Sequence, residues 1–177
     1  MKKTYLFSLI AISILLFNTT ACTTDSGFTM PEPTFDSVPE PLDISGVEAE
    51  SVQDGTVKYI IEEGYGEDRV VIRDDLLVFI TLRNMDGDYI YSSYQNDRTS
   101  PNIITVLNVV PRLSQNYNVE RSFTNGLRKG LIGMREGENR VLIVPPEEGF
   151  ANIQSGGLTE AFRNDTLRYD IELDAIL

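Results

Sequence analysis

Apolar residues recur along this chain in two periods. Leu127, Leu131 and Met134 are spaced by four and three, which lines one face of a helix and predicts a helix over Asn125 to Met134. A turn follows at Arg135-Glu136-Gly137-Glu138, and the β-branched run around Val141 and Ile143 predicts a strand that stops at Pro145-Pro146, where no ladder donor exists. Thr56 to Glu63 and Leu76 to Arg83 have the lengths and residue types of strands. Asp86-Gly87 predicts a hairpin turn into a further strand at Tyr89 to Tyr94, and Ile103 to Val110 predicts another. The last segment, Thr166 to Leu177, alternates, with Leu167, Tyr169, Ile171 and Leu173 on one face. Pro111 to Ser122, PRLSQNYNVERS, has no period and reads as a surface excursion, and Glu147 to Asp165 reads as loop. Several antiparallel strands and one short helix predict an α+β domain over residues 47–177, its sheet covered on one side.

The first 46 residues follow a different pattern. Lys2 and Lys3 precede an uncharged apolar stretch, Tyr5 to Phe17, too short for a comfortable membrane span and of the length of a secretory signal. It runs into Thr19-Thr20-Ala21-Cys22, which resembles the bacterial lipobox, although Thr19 stands where Leu is usual. Residues 1–21 are then a lipoprotein signal peptide and Cys22 is the lipidated N-terminus. The other reading is a conventional signal peptide cut nearby, which leaves the chain's one cysteine as a free thiol. Thr23 differs from the Asp that retains some lipoproteins at the inner membrane, so the expected location is the outer membrane, with the domain in the periplasm or at the surface. Residues 22–46 are polar and acidic, hold four of the eight prolines and show no hydrophobic period. They predict an extended, semi-rigid tether.

The chemistry available is narrow. With 27 acidic against 15 basic residues, a net charge of −12, nucleic acid is not an expected partner. The chain has no histidine, so Ser-His-Asp and Cys-His systems and most zinc sites are excluded, and an acylated Cys22 is no nucleophile. Asn84, Asp86 and Asp88 lack the further ligands of an EF-hand loop and read as a tight turn. No phosphate-binding glycine loop is present, and no cofactor or metal is expected. Rotation about an X-Pro amide needs none of these groups. Its barrier of about 20 kcal/mol comes from resonance, and an apolar pocket that favours the twisted amide lowers it by shape and desolvation.

Three segments carry a family resemblance. Gly126 to Pro146, GLRKGLIGMREGENRVLIVPP, resembles the centre of the FKBP-type peptidyl-prolyl isomerase domain; TLRYDIEL resembles the family's closing L-x-F-D-V-E-L, and VFITLRNMDGDYIYSS its V-x-Y-T-G-x-L-x-D-G-x-x-F-D-S-S. The resemblance covers most of Gly55 to Leu177 and implies an FKBP-like antiparallel sheet wrapped on one short helix. It also implies a pocket. The family's floor Trp falls at Leu127, its early-strand Tyr at Ile80 and its Phe-Asp pair at Ile90-Tyr91. Its Val-Ile before the helix, which supplies a backbone donor, falls at Phe123-Thr124, its loop Tyr at Phe150 and its last-strand Phe at Tyr169. The implied cavity stays apolar while its polar contacts are largely replaced, and the Pro101 to Leu127 region is longer by about a dozen residues than the family pattern. Core packing is the alternative role for each of these aliphatic and aromatic residues.

Two functions follow from the resemblance. One is an isomerase or folding assistant for exported, proline-containing polypeptides, attached to the membrane through its lipid alone. The other is a binding module of low or no activity on the same scaffold, such as an accessory lipoprotein of a cell-envelope machine like that of gliding motility.

Overall fold

The computed structural model describes residues 31–108, 112–113, 123–152 and 158–177. The expected signal segment, Cys22 and most of the Pro111 to Ser122 excursion lie outside the described residues. The compact unit that carries the fold runs from Pro33 to Leu177. Its strands are β1 (Glu50–Ser51), β2 (Val57–Glu62), β3 (Asp75–Asn84), β4 (Tyr89–Ser92), β5 (Asn102–Thr105), β6 (Arg112–Leu113), β7 (Asn139–Val144) and β8 (Leu167–Ile176). Its helices are α1 (Asn125–Leu131) and the short α2 (Leu158–Ala161).

The described strands form one antiparallel sheet in the order β1-β2-β7-β8-β3-β5-β6, with β4 paired to the far half of β3. Long β3 and β8 are its spine, in register from Leu76↔Ile176 to Asn84↔Leu167 with a bulge between Leu77 and Val78. Strand alternation puts Leu76, Val78, Ile80 and Leu82 on one face of β3 and Leu167, Tyr169, Ile171 and Leu173 on the same face of β8. All eight are at most 1 % exposed. The Asp86-Gly87 turn forms as expected: Gly87 takes φ 97°, and Asn84 Oδ1 accepts from the N–H of Asp86 and of Asp88 at 3.1 and 2.8 Å.

Helix α1 lies across β7. Thr124 caps it, its Oγ1 accepting from Leu127 N–H at 3.2 Å. Gly126 and Gly130 face the sheet so closely that a Cβ at either would overlap Val144 or Leu142. At the other end, Arg140 of β7 donates from Nη1 to the Gly130 carbonyl, satisfying a terminal acceptor of the helix. The guanidinium is held by Glu138, with Nε to Oε1 at 2.6 Å, and both side chains are 3 % exposed. The helix ends at Leu131, earlier than the apolar spacing predicts, because Gly133 turns the chain at φ 82°. Met134 nevertheless stays wholly buried, since the spacing records an inward face beyond the last helical turn.

The segment expected to stand off as a tether is corrected by the structure. From Thr34 onward it packs on the domain, across the sheet face that α1 leaves open. Asn96 N–H donates to the Thr34 carbonyl at 3.0 Å, and Thr34 N–H donates back to Asn96 Oδ1 at 2.9 Å. Phe35 stacks on Tyr89 with centroids 5.0 Å apart, and Ser37 Oγ donates to the Tyr94 carbonyl at 2.7 Å. Leu42 N–H donates to Asp170 Oδ1 at 3.1 Å, and Arg168 Nη2 donates at 2.5 Å to the Leu42 carbonyl. The outer face carries Phe79, Tyr89 and Tyr94 among polar residues, and the strap covers part of it with prolines that need no donors.

Candidate functional site

The eight expected pocket positions converge. Ile80 comes from β3, Ile90 and Tyr91 from β4, Phe123 and Thr124 from the approach to α1, Leu127 from the helix, Phe150 from the turn after β7 and Tyr169 from β8. The seven apolar and aromatic members belong to one contiguous core cluster, and Thr124 is joined to it by its hydroxyl. The structure places all of them as packed core: the most exposed, Ile90, is 6 % accessible, and Phe150 is 1 % accessible despite its loop position.

The polar atoms of the cluster are paired within it. Tyr169 Oη donates to Thr124 Oγ1 at 3.1 Å, so β8 and the cap of α1 share one hydroxyl. Burial pushes the Tyr169 phenol far above its ordinary range. The Tyr91 ring meets Phe123 edge-on at 5.8 Å, and its hydroxyl accepts from Asn102 Nδ2. Burial raises the Tyr91 phenol also, with Arg98 and the Asn102 bond opposing it. Asn102 Nδ2 reaches Ser93 Oγ at 2.9 Å, and Ser93 Oγ accepts from Ile80 N–H at 2.9 Å.

Asn102 and Ser93 therefore belong to the site, and both were missed from the sequence. The signal lay in the alternation of β5: counting back by two from buried Ile104 puts Asn102 on the inward face, 5 % exposed. Chemically, the site offers apolar walls, four neutral hydroxyls at Tyr91, Ser93, Thr124 and Tyr169, and no carboxylate among the residues named. It suits recognition of an uncharged, apolar group and contains no acid or base that changes charge near neutrality.

This sheet, the helix seated on it and the convergent cluster define an FKBP-like domain. The FKBP-type peptidyl-prolyl cis-trans isomerase family model matches residues 66–174. The chain belongs to this family. Among solved structures it is similar to a peptidyl-prolyl cis-trans isomerase from Pseudomonas syringae pv. tomato str. DC3000, at 20 % identity and TM-score 0.54, covering 72 % of this chain and 80 % of that one. It is also similar to the N-terminal domain of FKBP42 from Arabidopsis thaliana, at 18 % identity and TM-score 0.55, covering 80 % and 98 %. FkpA from Escherichia coli matches at 23 % identity and TM-score 0.53 over 72 % of this chain and 51 % of that one, so the match spans about half of FkpA. At these identities the likeness is one of fold.

Proposed function

We propose that this domain is a peptidyl-prolyl isomerase and folding assistant for exported polypeptides, held at a bacterial envelope membrane, the outer one, by lipid on Cys22. The observation that carries the reading is the convergence of all eight family pocket positions on one apolar cluster between sheet and helix, in a chain that belongs to the family. Catalysis by such a cluster is differential binding: apolar walls favour the twisted, less delocalised X-Pro amide over either planar form. Isomerisation then needs the walls to part, because in this structure they pack on one another.

That packing is also the specific observation behind a second reading, a scaffold that binds a partner and turns over little. Catalysed isomerisation of X-Pro peptides with varied residues before proline separates the two. The isomerase reading expects acceleration above background with a rate flat between about pH 5 and 8, since no member of the cluster titrates there. It further expects Phe150→Tyr, which returns the family's hydroxyl, to raise the rate. A folded protein giving no acceleration at high micromolar concentration decides for the binding module. The anchor is tested apart from this, by following Cys22→Ala between membrane and soluble fractions.

A further inference from the structure

The strap on the outer face is bound in the manner of a ligand. Its two ends are each clamped through both main-chain polar groups of one residue. Asn96 pairs with the N–H and C=O of Thr34, and Asp170 and Arg168 pair with the N–H and C=O of Leu42. Asn96 holds φ 58° and ψ 41°, a left-handed conformation that Asn tolerates and that accompanies this pairing. Between the clamps lie Val38-Pro39 and Glu40-Pro41, and Phe35 rests on an aromatic and cationic platform: Tyr89 stacks beneath it, and the Arg83 guanidinium lies 4.9 Å from the Tyr89 centroid. Main-chain clamps with an aromatic cradle and intervening prolines are the means by which proteins hold extended polyproline-like segments.

Two further features point to exchange. No residue from Thr34 to Leu42 is fully buried, none belongs to a strand of the sheet, and the Thr34 and Ser37 bonds are solvent-exposed. The strap also leaves the groove incompletely filled. A cavity of about 90 Å³ remains beneath it, bounded by Pro39, Leu42, Phe79, Arg83, Tyr94 and Asn139. Arg83 Nε and Asn139 Oδ1 are buried without a hydrogen bond among the described residues, Nε lying 3.5 Å from Asp170 Oδ2.

We propose that the outer face of the sheet is a second polypeptide-binding groove, specific for an extended, proline-containing segment, and that residues 34–42 occupy it in cis as an exchangeable strap. It lies on the sheet face opposite the family cluster, because Phe79 and Arg83 alternate with inward Val78, Ile80 and Leu82 on β3. A segment of another polypeptide binds here by displacing the strap, and the proposal stands whether or not the domain isomerises proline.

Two measurements test it on the full chain. In the wild type, hydrogen exchange of the Asn96 and Leu42 amides, which bond the strap and its clamp, is expected to be roughly a hundredfold less protected than that of the β3 and β8 amides. In the second, a fluorescent peptide of residues 33–43 is titrated onto wild type and onto Phe35→Ala, each shown to melt cooperatively. Loss of the strap's aromatic anchor removes the intramolecular competitor, so Phe35→Ala is expected to bind the peptide roughly tenfold or more tightly than wild type does. Adding Arg168→Ala is expected to abolish that gain. Strap amides that exchange only with global unfolding, or peptide binding that Phe35→Ala does not improve or Arg168→Ala does not reduce, would overturn the proposal.

Discussion

Tyr169 ties the central strand to the cap of α1 through one hydroxyl. It donates to Thr124 Oγ1, which in turn accepts from the Leu127 N–H in the first turn of α1, so a side chain of the central strand fixes the cap of the helix. Removing the hydroxyl by Tyr169→Phe leaves the Thr124–Leu127 bond in place and is expected to cost about 1 kcal/mol at pH 7 by chemical denaturation. The substitution has a second signature. Burial raises the folded-state pKa of Tyr169 above the unfolded value near 10, so the neutral phenol's contribution is fully present below about pH 10 and is lost as the pH rises beyond it. Tyr91 and Tyr94 are raised by burial in the same direction and share the decline. Tyr169→Phe is therefore expected to make the fall in stability between about pH 10 and 12 shallower, since one fewer proton is released on unfolding. An unchanged alkaline slope would mean that Tyr169 ionises as readily folded as unfolded, against its burial.

At the scale of elements, the seat of α1 on β7 decides how closely the cluster packs. The two glycines that permit it differ in what they meet: Gly126 lies against the Cγ atoms of Val144, Gly130 against the Cδ atoms of Leu142. Alanine gains up to about 1 kcal/mol of helix propensity at either place. At 126 the obstruction is a β-branched side chain with a stiff χ1, so Gly126→Ala is expected to lose about 1–3 kcal/mol overall. Leu142 can turn its terminal methyls aside, so Gly130→Ala is expected to lose less, and paired urea melts give the order. Equal losses would show that the whole helix shifts rather than one neighbour. These elements were largely legible in the sequence. Residue types and length marked β3 and alternation marked β8, each to within a residue at both ends, and the 127–131–134 spacing marked the inward face. Two-residue β1 and four-residue α2 were not legible, being too short to show a period. The positions of the candidate site came from matched motifs; their closure did not, because a residue that lines a pocket and one that fills it have the same apolar character. The strap was invisible for another reason: its partners lie 54 to 128 residues away, and its own prolines read as a tether.

At the scale of the whole molecule, the proposed lipid on Cys22 and the proposed exchange of the strap together bear on how far the domain could stand from a membrane. With Cys22 lipidated, Cys22→Ala is expected to move the protein from the membrane fraction to the soluble one without altering the domain's melting temperature. Retention of that variant after high-salt and carbonate washes would exclude the lipid anchor. Given the anchor, reach follows from chain length. If the strap is held from Thr34, twelve residues connect lipid to domain, a span of at most about 40 Å at about 3.5 Å per residue. If it is released to β1, twenty-eight residues connect them, and the limit rises to about 95 Å. A chain of net charge −12 gains nothing by resting on an anionic leaflet, so electrostatics favours the longer reach and strap binding opposes it. Energy transfer from labelled vesicles to a dye on the exposed Met85 position measures the balance. The wild type is expected to stay within the shorter limit. Phe35→Ala, or saturating peptide of residues 33–43, is expected to carry the domain beyond it, so that occupying the groove in trans also lengthens the tether. A distance that ignores both, with lipidation confirmed by mass, would separate the strap from any control of reach.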